Sequence, residues 1–199
     1  MSLDIKGFRE EVIKNGFLKT NRFLVQFQPP ISLKGRSTDA LSLRCDSIQW
    51  PGVSFATMDT PPRAGYGPTE LIPYSPIFDD ITMNFIVDGG SKLHQFFWDW
   101  TNTIINLNSK GQTGLGQDAY TVGYKNDYKT DIDISVFRDT GIDKDSLAMK
   151  ATLYRAFPRM MPSFDLNWMT TDEPLKISVQ FSYTDFYMYY PEPTEPKPA

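Results

Sequence analysis

Hydrophobic and polar residues alternate with a period of two through much of the chain, as in strands with one buried face. Phe23, Val25 and Phe27 share a face of residues 22–28, and Pro29-Pro30 ends that strand because neither proline carries an amide hydrogen. Leu41, Leu43 and Cys45 repeat the pattern and predict a second strand running towards Trp50-Pro51-Gly52. Ile81, Met83, Phe85 and Val87 mark another, stopped by Asp88-Gly89-Gly90. Residues 120–128 read as a short aromatic strand. In residues 131–137, Ile132, Ile134 and Val136 alternate with Asp131, Asp133 and Ser135, and Met149, Ala151 and Leu153 alternate with Lys150, Thr152 and Tyr154. The longest predicted strand is 175–189. One face carries Leu175, Ile177, Val179, Phe181, Tyr183, Tyr187 and Tyr189, broken by Asp185. The other begins polar, with Lys176, Ser178, Gln180, Ser182 and Thr184, and turns apolar at Phe186 and Met188.

Two segments follow a helical period instead. Ile5, Phe8, Val12 and Ile13 predict a short helix over 3–15, stopped at Asn15-Gly16. Leu93, Phe96, Phe97, Trp100, Ile104 and Leu107 predict a long helix, with Asp88 or Ser91 as its cap. Its wide aromatic stripe suits it to cover one face of a sheet. Between Pro51 and Pro76 the chain is rich in proline and glycine yet holds Phe55, Leu71, Ile72 and Tyr74. A flexible linker would lack such residues, so an arm over about 46–78 is expected to leave the body and lie on another surface. The proline-rich tail, 191–199, reads as a solvated extension. Residues 1–190 thus form one mainly β domain, an antiparallel sheet or barrel module of about seven strands with one covering helix.

Composition narrows the function. Of 199 residues, 40% are hydrophobic and 22% charged, which excludes a disordered chain. No apolar run approaches a membrane span, and MSLDIKGFREEV lacks the apolar centre of a signal peptide. The net charge of −4 argues against a nucleic-acid grip built on phosphate neutralisation. One cysteine and one histidine exclude an internal disulfide framework and multi-Cys or multi-His metal centres. His94, beside the helical stripe, reads as a surface or packing residue, and Cys45 as a buried small hydrophobe. Adjacent Asp79 and Asp80 point to opposite faces and do not converge on a substrate. The glycines of 111–116 lack the βα frame of a phosphate loop. Lys34, Arg36 and Arg44 read as a solvated cluster, and Trp98-Asp99-Trp100 as helix core plus rim. No catalytic, cofactor-binding or metal-binding residues are predicted. Long arms and open strand edges cost a monomer and serve an oligomer, so an assembly module is the reading the residues carry.

An ordered set of segments points further. A cysteine-containing strand runs into Trp50-Pro51-Gly52-Val53-Ser54-Phe55-Ala56-Thr57, followed by Tyr66-Gly67-Pro68 and Ile72-Pro73-Tyr74. Then come Phe78-Asp79-Asp80-Ile81-Thr82-Met83-Asn84-Phe85, Phe96-Phe97-Trp98-Asp99-Trp100, Arg155-Ala156-Phe157-Pro158 and Ser178-Val179-Gln180-Phe181-Ser182-Tyr183. In order and spacing, over roughly residues 20–188, the chain resembles the tail tube proteins of contractile-tailed, T4-like bacteriophages. The loop over 29–40 and the proline-rich end are longer than the family minimum, which leaves open a repeating tube subunit or a tube initiator at the baseplate.

The resemblance implies hexameric rings in which each subunit joins a continuous β-barrel around a channel. Stacked rings would form a tube, with sheath protein outside, tape measure protein and DNA in the lumen, and a baseplate initiator at one end. It implies a virion component made in the host cytoplasm, with no cofactor, no enzymatic role and no membrane binding. An inter-subunit role is carried onto the arm residues Trp50, Pro51, Phe55, Tyr66, Leu71, Ile72 and Tyr74. Asp131, Asp133, Lys176, Ser178 and Gln180 are candidates for the channel lining, where negative charge would keep DNA sliding. Two alternatives stand beside this reading: the tube of a related injection machine, and a small monomeric β-barrel that binds a ligand or acts as an enzyme.

Overall fold

In the computed structural model the described residues are 5–7, 9, 16–35, 38–60, 65–107, 120–138, 146–169 and 173–191. They form strands β1 (Phe23–Phe27), β2 (Cys45–Ile48), β3 (Val53–Thr60), β4 (Glu70–Phe78) and β5 (Ile81–Ile86), then β6 (Thr130–Phe137), β7 (Leu147–Met160), β8 (Lys176–Ser182) and β9 (Asp185–Tyr189). Helices α1 (Asp39–Arg44), α2 (Lys92–Ile104) and α3 (Lys125–Tyr128) accompany them.

The long strand β7 organises the sheet. One of its edges pairs with β6 along most of its length. Its other edge pairs with β9 over Lys150–Tyr154 and with β8 over Phe157–Met160. The full path is antiparallel, in the order β1-β6-β7-β8-β5-β2. A register shift places an extra β7 residue between the pairs Thr130–Ala156 and Ile132–Leu153. There Arg155 takes φ +56°, a left-handed conformation that L-residues adopt at a cost. The partner chain breaks at the same level, between Ser182 and Asp185, and the Thr184 amide donates to the Tyr154 carbonyl at 3.1 Å. The sheet therefore folds along one line, into a β1-β6-β7-β9 half and a β7-β8-β5-β2 half.

The inner faces of the two halves meet. Val25, Phe27, Ile132, Ile134, Ala151 and Leu153 from the first are buried against Met83, Phe85, Ile177, Val179 and Phe181 from the second. The Phe27 ring lies 5.9 Å from Phe85 and 5.8 Å from Phe181. Helix α2 adds the buried residues Leu93, Phe96, Phe97 and Trp100, with Phe97 5.0 Å from Phe85 and Trp100 5.9 Å from Phe181. The Trp100 indole donates to the Tyr128 carbonyl at 2.7 Å, which ties α3 to the core. Asp88, not Ser91, supplies the cap: its Oδ1 accepts the Leu93 amide at 3.4 Å while the Ser91 side chain bonds no helix amide.

Three expectations are corrected. Residues 41–44 belong to helix α1, not a strand, because a three-residue alternation within a run of good helix formers (Ala, Leu, Arg) carries no β signal of its own. Cys45 then opens β2 half-buried, and Leu43 is exposed. Residues 120–128 form an isolated bridge, Val122 with Ile105, and then helix α3. A Cβ on Gly123 would lie 2.2 Å from the Thr103 carbonyl oxygen, so the backbone passes too close to the end of α2 for a side chain there. Residues 175–189 are two strands in different halves. The break inverts the phase, so Phe186 and Met188 pack on the core while Tyr187 and Tyr189 are exposed. Of the predicted helix over 3–15, residues 5–7 and 9 are helical and the remainder lies outside the described residues, as do 111–116 and the tail beyond Pro191.

Candidate assembly interface

Among the described strands, β3 and β4 pair only with each other, from Val53–Phe78 at the root to Thr60–Glu70 at the outer end. A two-stranded ribbon by itself is marginal in water. This one nevertheless exposes Val53, Phe55, Met58, Leu71, Ile72, Tyr74 and Ile77, with Phe55 at 59% and Tyr74 at 66% of their full surface. Its root is anchored. Phe78 lies 5.4 Å from Phe186 and 6.1 Å from Tyr183, and the turn that follows is held by an ion pair between Asp80 and Arg159. The expected arm therefore begins at Val53, since Asp46–Ile48 belong to β2. Of the seven residues expected to make inter-subunit contacts, Phe55, Tyr66, Leu71, Ile72 and Tyr74 are exposed on the ribbon or its tip. Trp50 is half-buried and Pro51 buried, both at the root.

The five residues expected to line a channel fall on two outer faces that point away from each other. On the first half, cross-strand rows run Leu24–Ser135–Lys150–Tyr189 and Gln26–Asp133–Thr152–Tyr187. Asp133 accepts a hydrogen bond from the Thr152 hydroxyl at 2.6 Å and pairs with Lys150 Nζ at 2.9 Å. Asp131 Oδ1 accepts the amide of the left-handed Arg155 at 2.9 Å. Both acids thus bond to the neighbouring strand of the sheet. On the second half, rows run Ser47–Asn84–Ser178, Thr82–Gln180 and Ile86–Lys176. Asn84 Nδ2 donates to Ser47 Oγ at 2.8 Å, and Lys176 Nζ pairs with Asp46 at 2.7 Å. Lys176, Ser178 and Gln180 thus share a Ser/Thr/Asn/Gln surface whose rim cations are ion-paired, apart from Asp131 and Asp133.

The structure also exposes surfaces that the alternation of residues did not mark. Leu166, Trp168 and Met169 lie on the connection between β7 and β8, with Trp168 wholly exposed at 102%. Phe164, on the same connection, stands edge-on to His94 with ring centroids 5.9 Å apart, which gives the histidine a packing role. These side chains follow no period because the connection is neither strand nor helix. Tyr154, Tyr187, Tyr189 and Tyr190 are exposed beside β9. Burial and the Asp46 carboxylate, outweighing an opposing bond to the Ser47 carbonyl, push the Cys45 thiol from 9.0 up to about 12. Among the described residues, no group of three His, Cys, Asp or Glu side chains could hold a metal ion, and no helix is long and apolar enough to cross a membrane. What the arrangement supplies is open edges, an apolar ribbon and one polar sheet face whose Lys176 is ion-paired, the materials of self-association.

The sequence profile of the family described as phage tail tube protein matches residues 18–189. No curated protein sequence matches the chain. Among solved structures, the chain is similar to one in the sheath-tube complex of the PVC extracellular contractile injection system in its extended state, at 20% identity and a TM-score of 0.56, covering 91% of this chain and 97% of that one. It is similar to a chain of the anti-feeding prophage baseplate at 12% identity and a TM-score of 0.60, covering 88% and 97%. A chain of the anti-feeding prophage tube-terminating cap aligns at 18% identity and a TM-score of 0.55, covering 88% and 92%. At these identities the likeness is one of fold.

Proposed function

The chain belongs to the phage tail tube protein family, and from that membership we propose that it builds its tube as hexameric rings whose lumen is lined by the outer face of the β7-β8-β5-β2 half. It is a structural subunit of the virion tail. The observation that carries the reading is the family match itself, because residues 18–189 include both halves of the sheet and the ribbon.

Physical chemistry supports the details. The second half ends at β2 on one side, and beyond Ala156 the strand β7 has no described partner on its β6 side. Pairing β2 of one copy with Phe157–Met160 of the next would continue the half-sheet around a ring and remove both edges. The face turned inward would be Ser47, Thr82, Asn84, Ser178 and Gln180, with Met160 beside Gln180 and with Lys176 and Arg159 neutralised by Asp46 and Asp80. Such a wall offers a polyanion neither fixed cations to grip nor strong repulsion, and DNA would slide along it. Asp131 and Asp133 then face away from the lumen, towards a sheath outside, and the tape measure protein would occupy the lumen before DNA. The ribbon, with Phe55, Tyr66, Leu71, Ile72 and Tyr74, reaches neighbouring copies from a root at Trp50 and Pro51. The same surfaces would serve a subunit at a baseplate or a tube end, and copy number per particle separates those roles.

Electron microscopy of the purified protein, with and without tube ends as seeds, tests the reading. Rings or tubes of uniform bore are expected. A monomer that persists at high concentration with seeds present overturns it.

A further inference from the structure

The folded sheet is closed at the β7 bend and open at the opposite side, where its path begins at β1 and ends at β2. Between these two strands lies a cleft of about 520 Å³, lined chiefly by Phe23, Ile48, Trp50, Ile134, Val136 and Met149. No described strand pair bridges β1 and β2, and Phe23, Ile48 and Trp50 pack against the core there while staying only half-buried. We propose that the cleft receives the outer part of the β3–β4 ribbon of a second copy, seated by the cross-strand apolar pair Met58 and Ile72. The inference rests on the tube reading, in which β2 is the edge where copies meet, and it adds the receiving surface for the arm.

Three observations select this occupant. The cleft opens at the β2 edge, so the apolar lining is continuous with the proposed ring contact and lies beneath whatever the next copy brings. The ribbon is extended and apolar, and among the described strands it alone pairs with nothing outside itself. The ribbon cannot turn back into its own cleft. Trp50 is part of the lining, Pro51 is buried, and only Pro51-Gly52 separate Trp50 from β3. From Val53 to Met58 the strand leads roughly 17 Å away, at about 3.3 Å per residue. One copy thus carries two different patches, a projecting one and a receiving one. That heterologous arrangement propagates from copy to copy.

Cross-linking tests the proposal. In a Cys45→Ala background, one preparation carries Met58→Cys and another Ile48→Cys, so that each chain has a single thiol and any cross-link joins two chains. The two are mixed, assembled, checked by microscopy for tubes and treated with a short bis-maleimide. A covalent dimer is expected in the mixture, at least tenfold more abundant than in either preparation alone, and Ile72→Asp should reduce it tenfold. Tubes without that dimer overturn the proposal while leaving the tube reading intact. So does a monomer in which Ile48→Cys links to Phe8→Cys of the same chain, which would assign the cleft to the chain's own N-terminal segment. If the parent protein forms no ring or tube, the tube reading fails and this inference with it.

Discussion

Phe78, the last residue of the ribbon, meets Phe186 of β9 edge to face, with ring centroids 5.4 Å apart and planes at 82°. The contact couples two features that lie far apart in sequence: the arm and the line along which the sheet folds. Tyr183, at the break between β8 and β9, completes the cluster at 6.1 Å from Phe78 and 6.0 Å from Phe186. Its hydroxyl is buried with no hydrogen-bond partner among the described residues, and burial together with Asp79 and Asp80 pushes its pKa above the usual tyrosine value. The arm is therefore aimed by packing at its root rather than by contacts along its length.

Truncating this cluster separates stability from assembly. Phe186→Ala should cost about 2–3 kcal/mol, below the range for a fully buried phenylalanine because the residue is only half-buried. Tyr74→Ala, on the exposed ribbon, should leave stability within about 0.5 kcal/mol and still impair tube formation. Urea unfolding paired with microscopy of assembled material checks both. A Tyr74→Ala protein that assembles normally removes that residue from the interface.

Much of this architecture was legible in the alternation of residues, and the misses share a cause. Ile81–Ile86 reads correctly because strict alternation persists across a strand with one buried face. The α2 stripe reads correctly because Leu93, Phe96, Phe97 and Trp100 keep one helical face. The pattern fails at Tyr183–Thr184, where two residues leave the ladder and the phase inverts, so Tyr187 and Tyr189 turn outwards although a continued period would bury them. Asp131 and Asp133 lie on a different outer face from Lys176, Ser178 and Gln180, although all five alternate with buried residues. Alternation tells in from out on each strand, but not which of two outer faces a residue occupies. The cleft between β1 and β2 and the Trp168 connection depend on long-range closure, which no local period encodes.

The proposed lumen gives opposite outcomes for charges on the two faces. Ser178→Lys with Gln180→Lys adds two positive charges per subunit to the face assigned to the channel; these would grip phosphates, so genome delivery should become slower and more salt-dependent while tubes still form. Asp133→Asn sits on the other face. It should lower stability by about 1 kcal/mol, through its bonds to Thr152 and Lys150, and leave delivery unchanged. Delivery that responds to Asp133→Asn and ignores the 178/180 pair would reverse the assignment of faces.

The bend at Arg155 stores strain that substitution can expose. With φ at +56°, Arg155→Val should destabilise by at least about 1 kcal/mol, since a β-branched side chain tolerates that region poorly. Arg155→Gly should be neutral to stabilising by up to about 1 kcal/mol, with relieved strain set against the greater freedom of unfolded glycine. Asp131→Ala removes the acceptor for the Arg155 amide and should cost about 1 kcal/mol. Thermal unfolding of the three variants orders them, and a Gly variant less stable than the Val variant contradicts the strain argument.

Asp88 sets an acid limit on the start of α2. Desolvation raises its pKa, but bonds from the Leu93 amide and its own amide, with the Arg44 guanidinium at 2.8 Å, outweigh that and hold the carboxyl below 3.8. A depressed carboxyl stabilises the fold fully above its unfolded pKa, and that contribution disappears as pH falls through the folded value. Asp88→Asn should therefore be less stable than the parent at pH 7, with the gap narrowing below about pH 4. A gap that stays constant down to pH 2 would show that the charge contributes nothing.

Cys45 sets the corresponding alkaline limit and offers a direct probe of burial at β2. Its Sγ donates to the Ser47 carbonyl at 3.6 Å, and with a pKa pushed up to about 12 the thiol stays protonated across the physiological range. At pH 8 the thiolate fraction should be roughly a thousandfold lower than for an ordinary cysteine, so a disulfide reagent should react at least about a hundredfold more slowly with folded protein than with protein in urea. The sign of the linkage follows from the raised value. The neutral thiol is favoured in the fold, so its contribution is complete below pH 9 and is lost as pH rises towards 12, a loss that Cys45→Ala should abolish. Reaction at equal rates in the folded and unfolded states would mean that β2 opens readily, and an edge that opens so readily could not hold a ring together.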